Sequence, residues 1–284
     1  MLRIKIFSLI LVAGLTVTAC SNSVSTPYCV TYMDSGVSST ISNNFNCIQA
    51  SVSGSNLIVK SSNLPNYKSY YYGSSSELYE ALPSGNTPAG TNLISSQNMK
   101  YTIPITGTLQ TSGTLSGTQA GLISIGVTTN GIAIFNNSAN APDQLTTEAS
   151  TFDNYTGHPQ NSGIYHYHTE PAKLSNNDSA LIGIALDGFL VYGRKCDNGT
   201  ASTADGFTPS TNTNASSFTG SVSALTGGTT NTLDEVHGHV AVTQHLSTAT
   251  YHYHTVTAEV VSGSTGLKTI MGSYFRGIRG SVSN

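Results

Sequence analysis

Short apolar runs recur along the chain, separated by stretches of Ser, Thr, Asn and Gly. Their periodicity is mostly that of strands. NLIVKSS (56–62), NMKYTIPI (98–105), AGLISIGVTTNG (120–131) and IAIFNN (132–137) alternate or form compact β-branched blocks, as half-buried or buried strands do. Thr129-Asn130-Gly131 lies between the last two, and Asn-Gly flanked by β-formers predicts a hairpin. Pro104 confines its strand to an edge or to a strand end. SALIGIALDGFLVYGRKC (179–196) is a continuous apolar run broken at Asp187-Gly188, which predicts two buried strands around a tight turn. Helical spacing is confined to SSSELYEAL (74–82), with Ser74–Ser76 as caps, and to the marginal PDQLTTEAST (142–151). Residues 197–232 are low in large apolar side chains and predict a long surface insertion. The segment VTAEVVSGSTGLKTIMGSYFRG (256–277) is expected to close the sheet. The pattern predicts a mainly β chain, a single antiparallel β-sandwich or barrel-like domain over 55–284 with long polar loops and little helix, preceded by a polar tether and first hairpin over 20–54.

Composition sharpens this reading. Of 284 residues only 9% are charged, 15 are Tyr and none is Trp. Solubility therefore rests on hydroxyl and amide side chains. Eleven basic residues stand against 14 acidic ones, with no basic run. Nothing supplies the phosphate-neutralising surface of a nucleic-acid binder, and no glycine-rich loop before a helix predicts nucleotide binding. No G-x-S-x-G nucleophile elbow stands in a strand-to-helix context.

The first nineteen residues read as an export signal. Arg3 and Lys5 precede the apolar run IFSLILVAGLTV, too short to span a bilayer. The run ends in Val17-Thr18-Ala19-Cys20, which resembles a lipobox. Cys20 is then the lipidated first residue of a protein anchored in a bacterial cell envelope, with Ser21 favouring the outer membrane or periplasmic face. Cys29 and Cys47 enclose a short loop, where a bridge contributes about 3 kcal/mol in the chain-entropy view. Cys196 is then a buried thiol, a partner to one of those two, or part of a metal site.

The chemistry-bearing residues are the histidines. All eight lie between 158 and 254 and fall into two cassettes. Asp153-Asn-Tyr-Thr-Gly157-His158 precedes Tyr165-His166-Tyr167-His168, and Asp234-Glu-Val-His-Gly238-His239 precedes Tyr251-His252-Tyr253-His254. In a strand, His166 and His168 share one face about 7 Å apart, with Tyr165 and Tyr167 on the other. His252 and His254 relate to Tyr251 and Tyr253 in the same way. Two H-x-H strands side by side bring four imidazoles to one pocket, with His158 and His239 entering from neighbouring turns. Imidazole ligation in an exported protein favours Cu or Zn over oxygen-seeking Mg or Ca. Asp153, Asp187 and Asp234 are candidate carboxylate partners for the second ring nitrogens; Asp187 alternatively only makes the turn before Gly188. His237 and His245 lie outside the repeated pattern. A ladder of imidazoles without metal is the plainer alternative.

VKSSNLPNY (59–67), NMKYTIP (98–104), IGVTTNGIAIFN (125–136), FDNYTGHPQNSGIYHYHTEP (152–171), LIGIALDGFLVYG (181–193), the stretch from Asp234 to His254 and MGSYFRG (271–277) together resemble the YHYH-domain family of exported proteins. The resemblance implies one β-rich domain and imports no activity. Cysteines that family members carry stand here as Tyr155 and as Ser273 or Tyr274. Three functions of different class follow: sequestration or delivery of copper or zinc; metal-dependent hydrolysis or copper redox chemistry, with Glu170 or Glu235 as acid or base; and a metal-free surface adhesion module.

Overall fold

A computed structural model describes residues 29–110, 112–114, 124–139, 144–171, 180–193, 217–219, 233–234, 236–255 and 275–284. The expected signal segment with Cys20, most of 197–232, and 256–274 lie outside these residues, as do Cys196, Glu235, Ser273 and Tyr274.

The chain is mainly β. In order, the strands are β1 (Tyr32–Met33), β2 (Gln49–Ser53), β3 (Asn56–Ser61), β4 (Met99–Pro104), β5 (Ser112–Thr114), β6 (Gly126–Thr128), β7 (Ala133–Ile134), β8 (Gly157–Pro159), β9 (Tyr165–Tyr167), β10 (Leu181–Ala185), β11 (Leu190–Tyr192), β12 (Ser217–Thr219), β13 (Gly238–Thr243), β14 (Leu246–His254) and β15 (Ser281–Ser283). One sheet has the order β1-β2-β3-β4-β15; the larger runs β13-β14-β11-β10-β6-β7-β9-β8. β5 and β12 form a separate two-stranded ribbon. Cys29 and Cys47 are joined by a disulfide. The sheets pack as a sandwich rather than a closed barrel. Within them, β1–β2, β7–β9 and β11–β14 are parallel pairs, against the expected antiparallel order throughout. In the larger sheet β8 runs antiparallel to β9 and β13 to β14, so each returns the chain for the strand that then pairs in parallel with β7 or β11.

The tyrosines build the layer between the sheets. Tyr101, Tyr165, Tyr167, Tyr192, Tyr251 and Tyr253 are fully buried in one apolar cluster with Val59, Ile103, Ile134 and Phe189. Each such ring stabilises the fold by about 2 kcal/mol or more. A buried phenol also demands a partner for its hydroxyl, and that demand shapes the site below. Asn63, beyond the end of β3, sits at φ 54, a left-handed conformation Asn tolerates. It donates to Tyr165 O at 2.7 Å and accepts from Ala133 N at 2.7 Å, pinning β9 and β7 to the first sheet. Ser61 Oγ donates to Gly131 O at 2.5 Å.

The larger sheet repeats itself about the β6–β10 pair. The turn at Thr129–Gly131 joins β6 to β7, and that at Leu186–Phe189 joins β10 to β11; Gly131 and Gly188 both have positive φ. On one side, Val127 pairs with Ala133, Ala133 with His166, and His166 with His158. On the other, Ile184 pairs with Leu190, Val191 with Tyr253, and His252 with His239. At the centre Val127 faces Ile184. The strand directions repeat in the same order outward from this pair, as a twofold relation requires. Aligned accordingly, Ile125-Gly126-Val127 corresponds to Ile182-Gly183-Ile184, and Asn130-Gly131 to Asp187-Gly188.

Two helical expectations diverge. Leu145–Glu148 is helical and continues as a 3-10 turn over Ala149–Thr151. The expected helix at 74–82 does not form: Ser69 N donates to Leu78 O and Glu80 N to Ser69 O, so the segment pairs outward instead of along itself. A short helix, Ser39–Asn44, forms where no pattern announced it, capped by Ser38 and burying only Ile41.

Candidate metal centre

Alternation in β9 and β14 places the rings as expected, tyrosines into the core and histidines on the opposite face. The third histidine of each cassette comes from a paired strand rather than from a turn: His158 of β8 lies opposite His166, and His239 of β13 opposite His252. Each cassette is a hairpin that closes on itself. The result is two triads, His158/His166/His168 and His239/His252/His254, every ring buried and the ligand atoms of each triad within 4.8 Å of one another. The expected single pocket of four imidazoles is therefore corrected to two pockets. β9 and β14 are five strand spacings apart, about 24 Å along the sheet.

The hydrogen bonds fix the tautomers. His166 Nδ1 lies 3.0 Å from Ile164 O and His168 Nδ1 2.6 Å from Asn136 O. A carbonyl only accepts, so both Nδ1 atoms carry the proton and both Nε2 atoms present lone pairs. Thr151 Oγ1 gives its one proton to Glu148 O at 2.7 Å and so accepts from His158 Nδ1 at 2.7 Å. The three Nε2 lone pairs converge, with 3.1 Å between His158 and His166 and 3.0 Å between His166 and His168. No proton is available between them. In the second triad, His252 Nδ1 donates to Thr250 O at 2.9 Å and His254 Nδ1 to Gly193 O at 2.6 Å. The Nε2 separations there are 2.9 Å and 3.1 Å.

Protonating a ring would relieve the crowding, but burial opposes it. Desolvation, helped by neighbouring rings, holds His158, His166 and His254 well below the usual imidazole range. Burial lowers His168 and His252 to about 4, with their carbonyl partners opposing, and lowers His239 to about 3 with help from His252. A cation among them would satisfy lone pairs that face one another. The spacing suits one: a metal about 2.1 Å from each nitrogen gives polyhedron edges of about 2.9–3.4 Å. The rings are also held from behind. Phe135 stacks on His166 at 3.9 Å, Phe152 packs edge-on to His158 at 4.9 Å, and Tyr192 packs edge-on to His252 at 5.3 Å.

A profile of the YHYH protein family matches residues 100–265, more than half of the chain and a span that includes both triads. The chain belongs to the YHYH family. No curated protein and no solved structure matches it. The tyrosines of the family's motif prove as ordered as its histidines, and the acidic residues serve them. Tyr165 Oη donates to both oxygens of Asp153 at 2.9 and 2.8 Å, Tyr251 Oη to Asp234 at 2.9 Å, and Tyr253 Oη to Asp187 at 2.5 Å. Asp153, Asp187 and Asp234 are thus corrected from partners of the imidazoles to partners of the phenols. The physical reason lies in the turns. Asp153 Oδ1 accepts from the N–H of Tyr155 and Gly157, and Asp234 Oδ1 from that of Val236 and Gly238, which aims each carboxylate at the tyrosine face. Burial raises all three carboxylates, Asp187 to about 6, while the donated hydrogen bonds pull them back.

Gly157 and Gly238 are fixed by the same arrangement. A Cβ at either would overlap the phenol of Tyr165 or Tyr251. Gly157→Ala and Gly238→Ala are each expected to cost about 1–3 kcal/mol of stability, read from urea midpoints.

Other YHYH-domain residues find different places. Glu170 is buried and accepts from Thr255 Oγ1 at 3.0 Å, linking the chain just beyond one triad to the chain just beyond the other. His245 bonds Tyr192 Oη through Nδ1 at 3.1 Å. His237 is buried at φ 70, where the first cassette has Thr156 at φ 66. Neither joins a triad. Tyr155 stacks on Tyr67 at 3.6 Å. Sequence reading missed Glu148, whose carboxylate oxygens lie 3.9 Å from His158 Nε2 and 3.6 Å from His168 Nε2. It also missed Thr151, which sets the tautomer of His158. A helical signal over 142–151 was the only mark of either.

Proposed function

We propose that this YHYH protein binds two transition-metal ions, copper or zinc, one in each histidine triad. Its role is to take up and hand on metal in the bacterial cell envelope, to which Cys20 anchors it by lipid. One observation carries the metal reading: in the first triad three imidazoles are each held with Nδ1 protonated, so that three Nε2 lone pairs share one small space. His158, His166 and His168 are the ligands of the first ion; His239, His252 and His254 are those of the second. Three imidazoles fall short of the four ligands of a closed structural zinc site. That leaves room for an exchangeable ligand, which transfer of metal to an acceptor requires. The same feature supports a second reading, metal-dependent hydrolysis or redox chemistry, in which the bound ion supplies an activated water or a redox centre.

Elemental analysis of protein purified without an affinity tag is expected to give about two equivalents of Cu or Zn per chain. Absence of metal, together with failure to take up added Zn or Cu, would overturn the proposal and leave the metal-free surface module. Transfer of bound metal to a competing chelator within minutes supports delivery over permanent sequestration.

A further inference from the structure

Between the two sheets lies a cavity of about 310 Å³. Its floor is Ile41, Leu57, Ile184, Phe189, Leu190 and Tyr251, all buried, and its rim carries Val52 and Ile105, which are 38% and 49% exposed. Leu109 and Ile278, also exposed, continue the apolar surface past Gly107, since Ile278 N–H donates to Thr108 O at 3.0 Å. Apolar side chains gathered at the mouth of an apolar cavity mark a ligand site. The hydroxyls of the walls are already committed. Tyr251 Oη donates to Asp234 at 2.9 Å, Thr250 Oγ1 to Thr248 O at 2.9 Å and Thr40 Oγ1 to His245 O at 3.3 Å. The interior therefore favours an apolar guest. The twofold relation makes the same point. Tyr165, the counterpart of Tyr251, meets the ring of Tyr67 at 6.2 Å. Tyr251 meets Phe189 of its own sheet at 4.9 Å and borders the cavity. Where the first half inserts a ring from the other sheet, the second opens a space.

We propose that this cavity binds the alkyl chain of a free medium-chain fatty acid, whose carboxylate stays at the rim beside the exposed hydroxyls of Ser38 and Thr106. The apolar wall is aliphatic except for Phe189 and Tyr251, which suits a chain rather than a flat ring system. A methylene fills about 30 Å³, close to the share of one molecule in liquid water, so the cavity takes about ten carbons in line. A membrane lipid brings two longer chains, and the space holds one short one, so the occupant is the free acid. None of the six triad histidines lines the cavity. The site therefore stands apart from the metal reading, although Tyr251 precedes His252 in β14.

The test titrates the full chain, in chelator, with the sodium salts of acids from hexanoate to tetradecanoate, each below its micelle concentration, by calorimetry. Decanoate is expected to bind at one equivalent. Affinity rises by up to about fourfold per methylene until about ten carbons and levels off beyond. Val52→Trp plugs the mouth from an exposed position and is expected to lose at least about tenfold in decanoate affinity, with its urea midpoint unchanged. Ile105→Asp sets an anion at the rim and weakens decanoate more than decanol, which a plain loss of apolar contact does not. Decanoate that fails to bind at about 1 mM, or that binds both variants as tightly as the wild type, would remove the site. Affinity that climbs without a break to tetradecanoate would point to open apolar surface and refute a cavity of this length. Cosedimentation with phosphatidylcholine vesicles, without binding of the monomeric acid, would give this face to a membrane instead.

Discussion

Zinc raises the thermal unfolding midpoint of the chelator-stripped protein, and the variant His166→Ala/His168→Ala keeps about half of that gain. This is the largest effect expected. A ligand that binds the folded chain alone stabilises it by RT ln(1 + [L]/Kd), about 4 kcal/mol per site when the free metal exceeds Kd a thousandfold. The unfolded chain retains His-x-His pairs but not the triads, because His158 and His239 are brought in only by the pairing of β8 with β9 and β13 with β14. The double variant empties the first triad of two donors and touches none of the second. A single shared site, as the sequence pattern suggested, would lose the whole gain. Calorimetric scans of both proteins in chelator and in zinc distinguish the cases; complete loss in the variant would reject two independent centres.

The second large effect is acid lability of the metal-free protein. Six buried imidazoles stay neutral in the fold well below the pH at which they charge in the unfolded chain. Between about pH 6.5 and 4 the unfolded chain therefore binds more protons, and stability falls as pH falls. Each fully resisting ring contributes up to about 1.4 kcal/mol per pH unit. Asp187 acts with the opposite sign. Its carboxyl, pushed up to about 6, takes a proton in the fold before the unfolded chain does, so acidification through that range favours the fold at this one position. Asp153 and Asp234 act in the same direction. Their donated hydrogen bonds limit the effect, and six rings outweigh three carboxyls. Urea midpoints in chelator are expected to fall steeply from pH 7 to pH 4.5; bound metal raises them without flattening that fall, because metal-bound rings take up no protons in the fold while the unfolded chain still does. A flat profile would contradict the buried neutral state of the rings.

Much of this architecture was legible because it depends on alternation. His-x-His and Tyr-x-Tyr on one strand can only face opposite ways, and Asn130-Gly131 and Asp187-Gly188 can only be turns between the apolar blocks that flank them. What escaped was closure. Each cassette holds a Gly-His strand and a YHYH strand, and differing loop lengths between them change the hairpin tip without changing the register. Each hairpin therefore completes its own triad, and no second cassette is needed. The correspondence of IGVTTNGIAIF with IGIALDGFLVY marks a whole repeated module, with one site per copy. Asp153 and Asp234 were misassigned because their spacing from the histidines says nothing of where an Asx turn aims a carboxylate. The segment 74–82 had helical spacing, but pairing of Leu78 and Glu80 with Ser69 overrode it. Glu148 carried no signal of its own, since a single acid in a marginal helix is ordinarily a solvated side chain.

The twofold relation within the larger sheet supplies an internal reference. Whatever is done to one pocket can be read against its counterpart in the same molecule, at the same concentration and in the same solvent. A difference in metal occupancy, exchange rate or spectrum between the two then reports the local side chains rather than the preparation.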